Sequence, residues 1–551
     1  MQPNCIKEAS KSCLSSCWVK PLPHSSPPNS GTDPRQDFNS AILSSIQPNT
    51  YFTNHESLPS LQEMFTSLNN AIPSYSNTVL ADHIRALEYS HLANHVCLDY
   101  TGHGLFSYSQ LYGSVPYSET ASSSSSAADA APFFDISYSS ENLNSYLINR
   151  SCQESEFQRL VRKRIMRYMN VFEEDYWLVF TANQSTAFKL LADAYPFHSN
   201  QELLTMYDYE NEAVQAMIES SKKRGARAQS AVFSWPNLRV NSGKLRKVIV
   251  KKSKPKNRGL FVFPLQSRMS GSRYSYQWMN LARENGWHVL LDACALGAKD
   301  METLGLSLFQ PDFLICSFFK IFGQNPSGFC SLFIKKSTVP LLNPSSTTMG
   351  IVSITPALTT NNDPKSLPLP LLTSEIVEMG SKEIEFRGLD HADRLGLILI
   401  SVRVRCLVNW LVNALLSLQH PHSGKGQALV TILGPRIMLD RGPAIAFNVH
   451  DWKGERVDPN LVQKLAGRNN VSLTIGFLEN VWLKSEKKKK KKKMRRKKKG
   501  GLWAASIWVG MMNNFEDVYK VWRFVAKFLD ADFMEKERWR YTAIDQSTVE
   551  V

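Results

Sequence analysis

Asp292 and Lys320 are the two side chains whose type and spacing point to chemistry. Residues 288–291 are a short apolar run with Asp292 directly after them, and residues 312–317 are a second run with Lys320 just beyond it. As neighbouring parallel strands, these runs bring the acid and the lysine to the carboxyl edge of one sheet, where α/β proteins gather their ligand sites. A lysine there suits a Schiff base with pyridoxal 5'-phosphate. A carboxylate there suits the pyridine nitrogen, which it keeps protonated so that the ring accepts electrons. Two plainer roles fit the same spacing: an aspartate that caps a helix and a lysine that is simply solvated.

The elements around this pair follow the same logic. Residues 176–180, 203–207, 259–264 and 329–334 are further apolar runs, short and nearly unbroken, as expected of strands covered on both faces. Between the first two lies the polar turn 181–186, which opens a helix over 187–195. Free N–H groups and hydroxyls at such a helix start form a natural phosphate seat, with Thr181 and Ser185 as its hydroxyls and Ser317 as a further ligand from the next strand. Residues 151–169 form a basic amphipathic helix, whose interleaved Phe157, Leu160, Val161, Ile165 and Met166 read as a sheet-covering face. The run 380–418 is a long apolar helix. Arg403 and Arg405 interrupt it short of the about 18 uncharged residues of a membrane span, and Ser401, Arg405, Asn409, Asn413 and Ser417 form one polar stripe. After residue 424 come strands over 428–433, 444–449, 471–475 and 504–511, with a helix capped by Asp458 and another capped by Asn513 or Asn514.

Leu291-Asp-Ala-Cys-Ala-Leu-Gly297 and Ser317-Phe-Phe-Lys-Ile-Phe-Gly323, followed by Pro326-Ser-Gly328, resemble the aminotransferase class V family. Within it they are most similar to the pyridoxal-phosphate domain of molybdenum cofactor sulfurases and their plant relatives. The resemblance runs over residues 90–530, with insertions. It implies an α/β fold of type I: a large mixed, mainly parallel sheet domain and a small α+β C-terminal domain. It also implies that Lys320 carries the cofactor as the internal aldimine, that Asp292 pairs with the pyridine nitrogen, and that the turn from Thr181 to Ser185 seats the phosphate. An amino-acid substrate and a homodimer come with the family.

This chain departs from that pattern at four places. Asn183 and Gln184 stand where the phosphate turn has Gly and Ala, Asn211 stands where a ring-stacking His is expected, and Arg268 replaces an Asn that reaches the phenolic oxygen. The small-domain cysteine that accepts sulfur as a persulfide should follow strand 471–475, but the chain there reads Gly476-Phe-Leu-Glu-Asn480 and its last cysteine is Cys406. Cys294, Cys316 and Cys330, in or beside buried strands, are poor substitutes. The expectation is a pyridoxal-phosphate protein acting as a lyase or transferase on an amino acid, without the usual desulfurase route. The alternative is a non-catalytic relative retained as a scaffold or regulator.

Composition bounds the rest. The chain has 551 residues and a formal charge of +15, but residues 484–499 hold 13 Lys or Arg against one acid, so the remainder carries only +3. The basic balance therefore belongs to one tract. That tract reads as a solvated insertion, a nuclear address or a non-specific phosphate-backbone binder, the last making nucleic-acid binding a third function. None of the nine cysteines forms a C-x-x-C pair, which argues for a reducing compartment with no disulfide framework and no zinc site. Residues 1–40 lack the apolar centre of a secretory signal. The expected location is inside the cell, cytoplasmic by default, with an organelle or the nucleus as alternatives. The expected layout is a disordered or loosely packed extension over 1–78, with one helix-like piece over 58–68, and a large domain over 79–420 with a Ser-rich insertion at 113–132. A small domain over 421–535 with the basic insertion 484–500, and a tail over 536–551, complete it.

Overall fold

In the computed structural model the described residues are 34–46, 50–99, 107–108, 134–149, 154–198, 201–250, 258–318, 329–344, 350–356, 388–421, 427–436, 441–482 and 500–547. Lys320, the Ser-rich stretch 113–132 and the basic run 484–499 lie outside them.

Seven strands form the large sheet: β1 (Tyr176–Thr181), β2 (Glu202–Thr205), β3 (Arg227–Ser230), β4 (Gly259–Pro264), β5 (Trp287–Asp292), β6 (Phe313–Ser317) and β7 (Cys330–Lys335). Their spatial order is β1-β7-β6-β5-β4-β2-β3. Neighbours pair parallel throughout, except that β7 runs antiparallel to both β6 and β1. The expected class, a large mixed and mainly parallel sheet, is therefore present. Alternation explains why its inner strands read as apolar with few breaks, whereas the edge strand β3, Arg-Ala-Gln-Ser, does not. Val289 and Leu291 enter the packed layer on one face and Leu290 the layer on the other, so β5 is covered on both faces and only His288 is partly exposed.

A smaller sheet is built from β8 (Val430–Leu433), β9 (Ala444–Val449), β10 (Thr474–Trp482) and β11 (Gly500–Trp508) in the order β8-β9-β11-β10. It continues into two short strands of the large lobe, Phe233–Ser234 and Arg239–Val240. Val481 and Trp482 pair parallel with Phe233 and Ser234, which ties the two lobes by backbone hydrogen bonds.

The long helix α-Gly388–Leu416 is buried along most of its length and is broken at Gly396, whose φ of 77° is left-handed. It is long and apolar enough to cross a membrane by composition, yet from Ile400 to Leu415 most of its apolar side chains are buried against protein, while Ile398 is exposed. Arg403 sits wholly buried within it, bonded through Nη1 to the Thr78 hydroxyl at 3.0 Å and to Asp82 at 3.1 Å, and through Nε to the Asn513 carbonyl at 2.8 Å. The polar stripe read from the sequence becomes a ladder along the helix: Asn413 donates to the Asn409 carbonyl at 3.0 Å, and Asn409 to that of Arg405.

The amino-terminal stretch corrects an expectation. Residues 50–78, anticipated as disordered or loosely packed, are folded against this helix and the small lobe. Ser60 and Glu63 form a capping box that starts the helix Leu61–Ala71, and Met64 and Leu68 are buried beneath it. The helix Pro34–Ser44 packs beside it with Ile42 buried. The polar residues that suggested disorder occupy the solvent face, and the few apolar ones meet a ready-made core.

Candidate functional site

Asp292 ends β5 and is 2% exposed. Its register aligns it with Pro264 at the end of β4 and with Ile315 of β6, so three parallel strand ends converge here. Oδ1 accepts the Cys294 backbone N–H at 2.9 Å. Oδ2 accepts the Gln184 side-chain amide and the Tyr207 hydroxyl, both at 3.0 Å. Burial raises the carboxyl above the usual range, against the pull of the Cys294 and Tyr207 hydrogen bonds and of the Arg268 charge. Burial, reinforced by Asp292, also lifts the Tyr207 hydroxyl well above 10, so it stays a proton donor.

The phosphate-seat expectation divides. The helix Gln184–Ala194 starts beside Asp292, capped by Asn183, whose side chain accepts the Thr186 N–H at 2.9 Å. The N–H groups of Gln184 and Ser185, at the first two positions, have no carbonyl partner within the helix, and Ser185 is half-buried there. Thr181 is different: its fully buried hydroxyl lies 3.2 Å from both the Cys330 and the Asn183 carbonyl oxygens, so it holds the turn together beneath the helix start. Ser317 ends β6 opposite Cys330, which also faces Thr181, and so closes the same edge from the other side. Arg268 is exposed on the turn after β4, with its charge acting on Asp292 and Tyr209. The structure thus gathers Asp292, Ser185, Ser317 and Arg268 at one edge and turns Thr181 inward.

Two participants were missed in the sequence. Gln184, noted only as standing where the phosphate turn has Ala, is a donor to Asp292. Tyr207, at the end of the run 203–207, places its hydroxyl on the acid, and its ring meets Tyr209 edge-on at 5.7 Å. Asn211, the position of the expected stacking His, caps the helix Glu212–Lys223 by accepting the Ala213 and Val214 N–H groups at 3.0 and 3.4 Å.

The segment that would hold a mobile cysteine is part of β10. Glu210 donates its N–H to the Phe477 carbonyl at 2.9 Å, and Glu479 donates to the Asp208 carbonyl at 3.0 Å. On its other side β10 pairs with β11 from Thr474 to Leu478. Asp208 itself is wholly buried, its oxygens taking the Ser267 hydroxyl at 2.6 Å and the Ser270 hydroxyl at 2.5 Å, which anchors this rim. Cys316 and Cys330 are fully buried, and burial pushes the Cys294 and Cys316 thiols well above their usual range, so neither is poised as a thiolate.

An α/β protein with an acid at the converging ends of its parallel strands, beside an open helix start, is the class these features define. No family model matches the chain. Over 411 residues it is 28% identical to the human molybdenum cofactor sulfurase, covering 71% of this chain and 43% of that protein. It is 24% identical over 436 residues to the rice molybdenum cofactor sulfurase, covering 72% and 49%. The chain spans about half the length of the curated relatives it matches. The Escherichia coli cysteine desulfurase CsdA superposes with a TM-score of 0.49 at 13% identity, over 82% of this chain and 98% of that one. The resemblance read from residues 291–297 and 317–328 is thus met across the chain: it is similar to molybdenum cofactor sulfurases of animals and plants.

Proposed function

We propose that the chain binds pyridoxal 5'-phosphate at the edge around Asp292, as a sulfurase-like protein that does not move sulfur through a small-lobe cysteine. The observation that carries this reading is the enclosed Asp292 carboxylate at the end of a parallel strand, beside a helix start with unclaimed N–H groups. An acid there suits a ring nitrogen and the helix start suits a phosphate, so the donor set fits the group. When bound, pyridoxal phosphate supplies an electron sink for reactions at the α-carbon of an amino acid. Asp292 would keep a proton on the ring nitrogen, with Tyr207 and the Cys294 N–H fixing the carboxylate's orientation. Ser185, Ser317 and the Gln184 and Ser185 N–H groups would hold the phosphate, Arg268 would face the ring's outer edge, and Lys320 would be the point of covalent attachment. A lyase or transferase acting on an amino acid in a cytoplasmic homodimer is the finer form of this proposal.

The test is direct. Protein purified with pyridoxal phosphate should show the visible absorbance of bound cofactor, and Lys320→Ala should lose it. Absence of that absorbance in wild type overturns the reading. It would favour the second one, a non-catalytic relative kept for its fold, which draws support from Asp292 having all its contacts met by protein groups. For the basic run, deletion of residues 487–499 should leave location and nucleic-acid retention unchanged if it is a passive insertion.

A further inference from the structure

A carboxylate offers about four acceptor positions. Asp292 uses both positions of Oδ2, on the Gln184 amide and the Tyr207 hydroxyl, and one of Oδ1, on the Cys294 backbone N–H. A protonated ring nitrogen that approaches Oδ2 must therefore displace a donor.

The donors differ in how readily they leave. The Cys294 N–H is main chain, fixed directly after β5, and its neighbour Ala293 bonds the Ile315 carbonyl at 2.8 Å. Tyr207 is 2% exposed, packed against Tyr209, and Tyr209 is bridged to Leu478 of β10. Gln184 is half-buried at the first position of its helix and reaches Asp292 through a long side chain. It can swing out by side-chain rotation alone, with no shift of backbone or core ring.

We propose that Gln184 is a latch on Asp292: it occupies the acceptor that a cofactor ring nitrogen needs, and the ring enters only as Gln184 turns away. The inference rests on the cofactor reading given above and adds that this chain holds its cofactor weakly because one of its own side chains competes for the same oxygen. Gln184 is in this sense a positioning residue that sets the affinity for a pyridinium ring.

The experiment measures equilibrium binding to the full chain of pyridoxamine 5'-phosphate, whose amine forms no Schiff base with a lysine. It also measures binding of the 1-deaza analogue, in which carbon replaces the ring nitrogen. Gln184→Ala should bind pyridoxamine 5'-phosphate about tenfold more tightly than wild type, the order expected for removing one charge-assisted competitor. The deaza analogue, which cannot use Asp292, should gain little. Equal gains for both ligands would mean that the substitution merely makes room, and would overturn the latch. Unchanged or weaker binding of pyridoxamine 5'-phosphate by Gln184→Ala, with wild type still binding, overturns the latch but leaves the cofactor reading standing. No binding by either protein overturns both.

Discussion

Glu479 donates its backbone N–H to the Asp208 carbonyl at 3.0 Å, and this bond straps a small-lobe strand onto the rim of the large-lobe site. Chemistry by a travelling nucleophile needs a loop that can leave that rim. Here the segment is paired on both sides, through Glu210 and Asp208 on one and through β11 on the other.

Sulfur release is therefore expected to be poor. Protein saturated with pyridoxal phosphate and given L-cysteine should yield little sulfide and no persulfide on any thiol, as read by mass spectrometry of the intact chain. Efficient persulfide formation on Cys294 would show that a large-lobe thiol has taken over, despite its raised pKa.

Glu302 offers a pH signature away from the site. Burial lifts its carboxyl to about 7, only partly countered by Arg273 at 4.0 Å. Its folded-state pKa lies above the unfolded value, so its stabilising contribution is full below the unfolded value of 4.5 and is lost as pH rises through about 7. Glu302→Gln removes that titration. The variant's melting temperature should gain on wild type between pH 4.5 and 7 and run parallel above it, worth up to about 3 kcal/mol by linkage. Parallel curves across the whole range would mean that Glu302 titrates normally.

Arg403 is a buried cation that ties Thr78, Asp82 and Asn513 together. Its removal in Arg403→Met leaves the Thr78 and Asn513 carbonyls unbonded, while Asp82, partly exposed, regains water. Losing one member of such a pair costs about 3–5 kcal/mol, and urea denaturation should show it as a lower midpoint at unchanged slope. Asp82→Asn should cost less, because the amide oxygen still accepts from the guanidinium and the Thr78 and Asn513 bonds remain. A change under 1 kcal/mol in both would place the weight of this junction in its apolar contacts.

Gly350 has a φ of 103°, and a Cβ there would lie 1.9 Å from Thr186 Cγ2, in the first turn of the helix that starts beside Asp292. Gly350→Ala should destabilise the protein by about 2 kcal/mol and weaken cofactor binding through that helix start. Thr186→Ser, which deletes the clashing methyl, should recover part of the loss. Denaturation midpoints of the single and double variants would settle it.

Six of the seven strands of the large sheet were legible because burial on both faces leaves their runs mostly apolar, and because Asp292 is a charge where a run ends; the edge strand Arg227–Ser230, polar and partly exposed, gave no such signal. The contacts of that charge were not. Gln184, Tyr207 and Cys294 come from three separate connections, and only the packing of parallel strands brings them to one carboxylate. Residues 476–482 gave no strand signal of their own, since Gly476 and Asn480 weaken it; β10 extends through them because the Asp208–Glu210 backbone and β11 supply partners on both sides. The folded stretch 50–78 was hidden for a related reason. Its apolar residues are too few to build a core, and they only complete one made elsewhere.

That stretch also sets an order of events during synthesis. Arg85 grips Asp517 through two bonds, at 2.5 and 3.0 Å, across a separation of 432 residues, and Arg403 reaches back to Asp82 over 321. The early helices emerge from the ribosome long before the partners that bury them. At about 5–20 residues per second they wait tens of seconds with Met64 and Leu68 uncovered. The long apolar helix spends part of that interval without its cover as well. The cover of these early helices is therefore completed only when the helix Phe515–Ala526 has been made and docks.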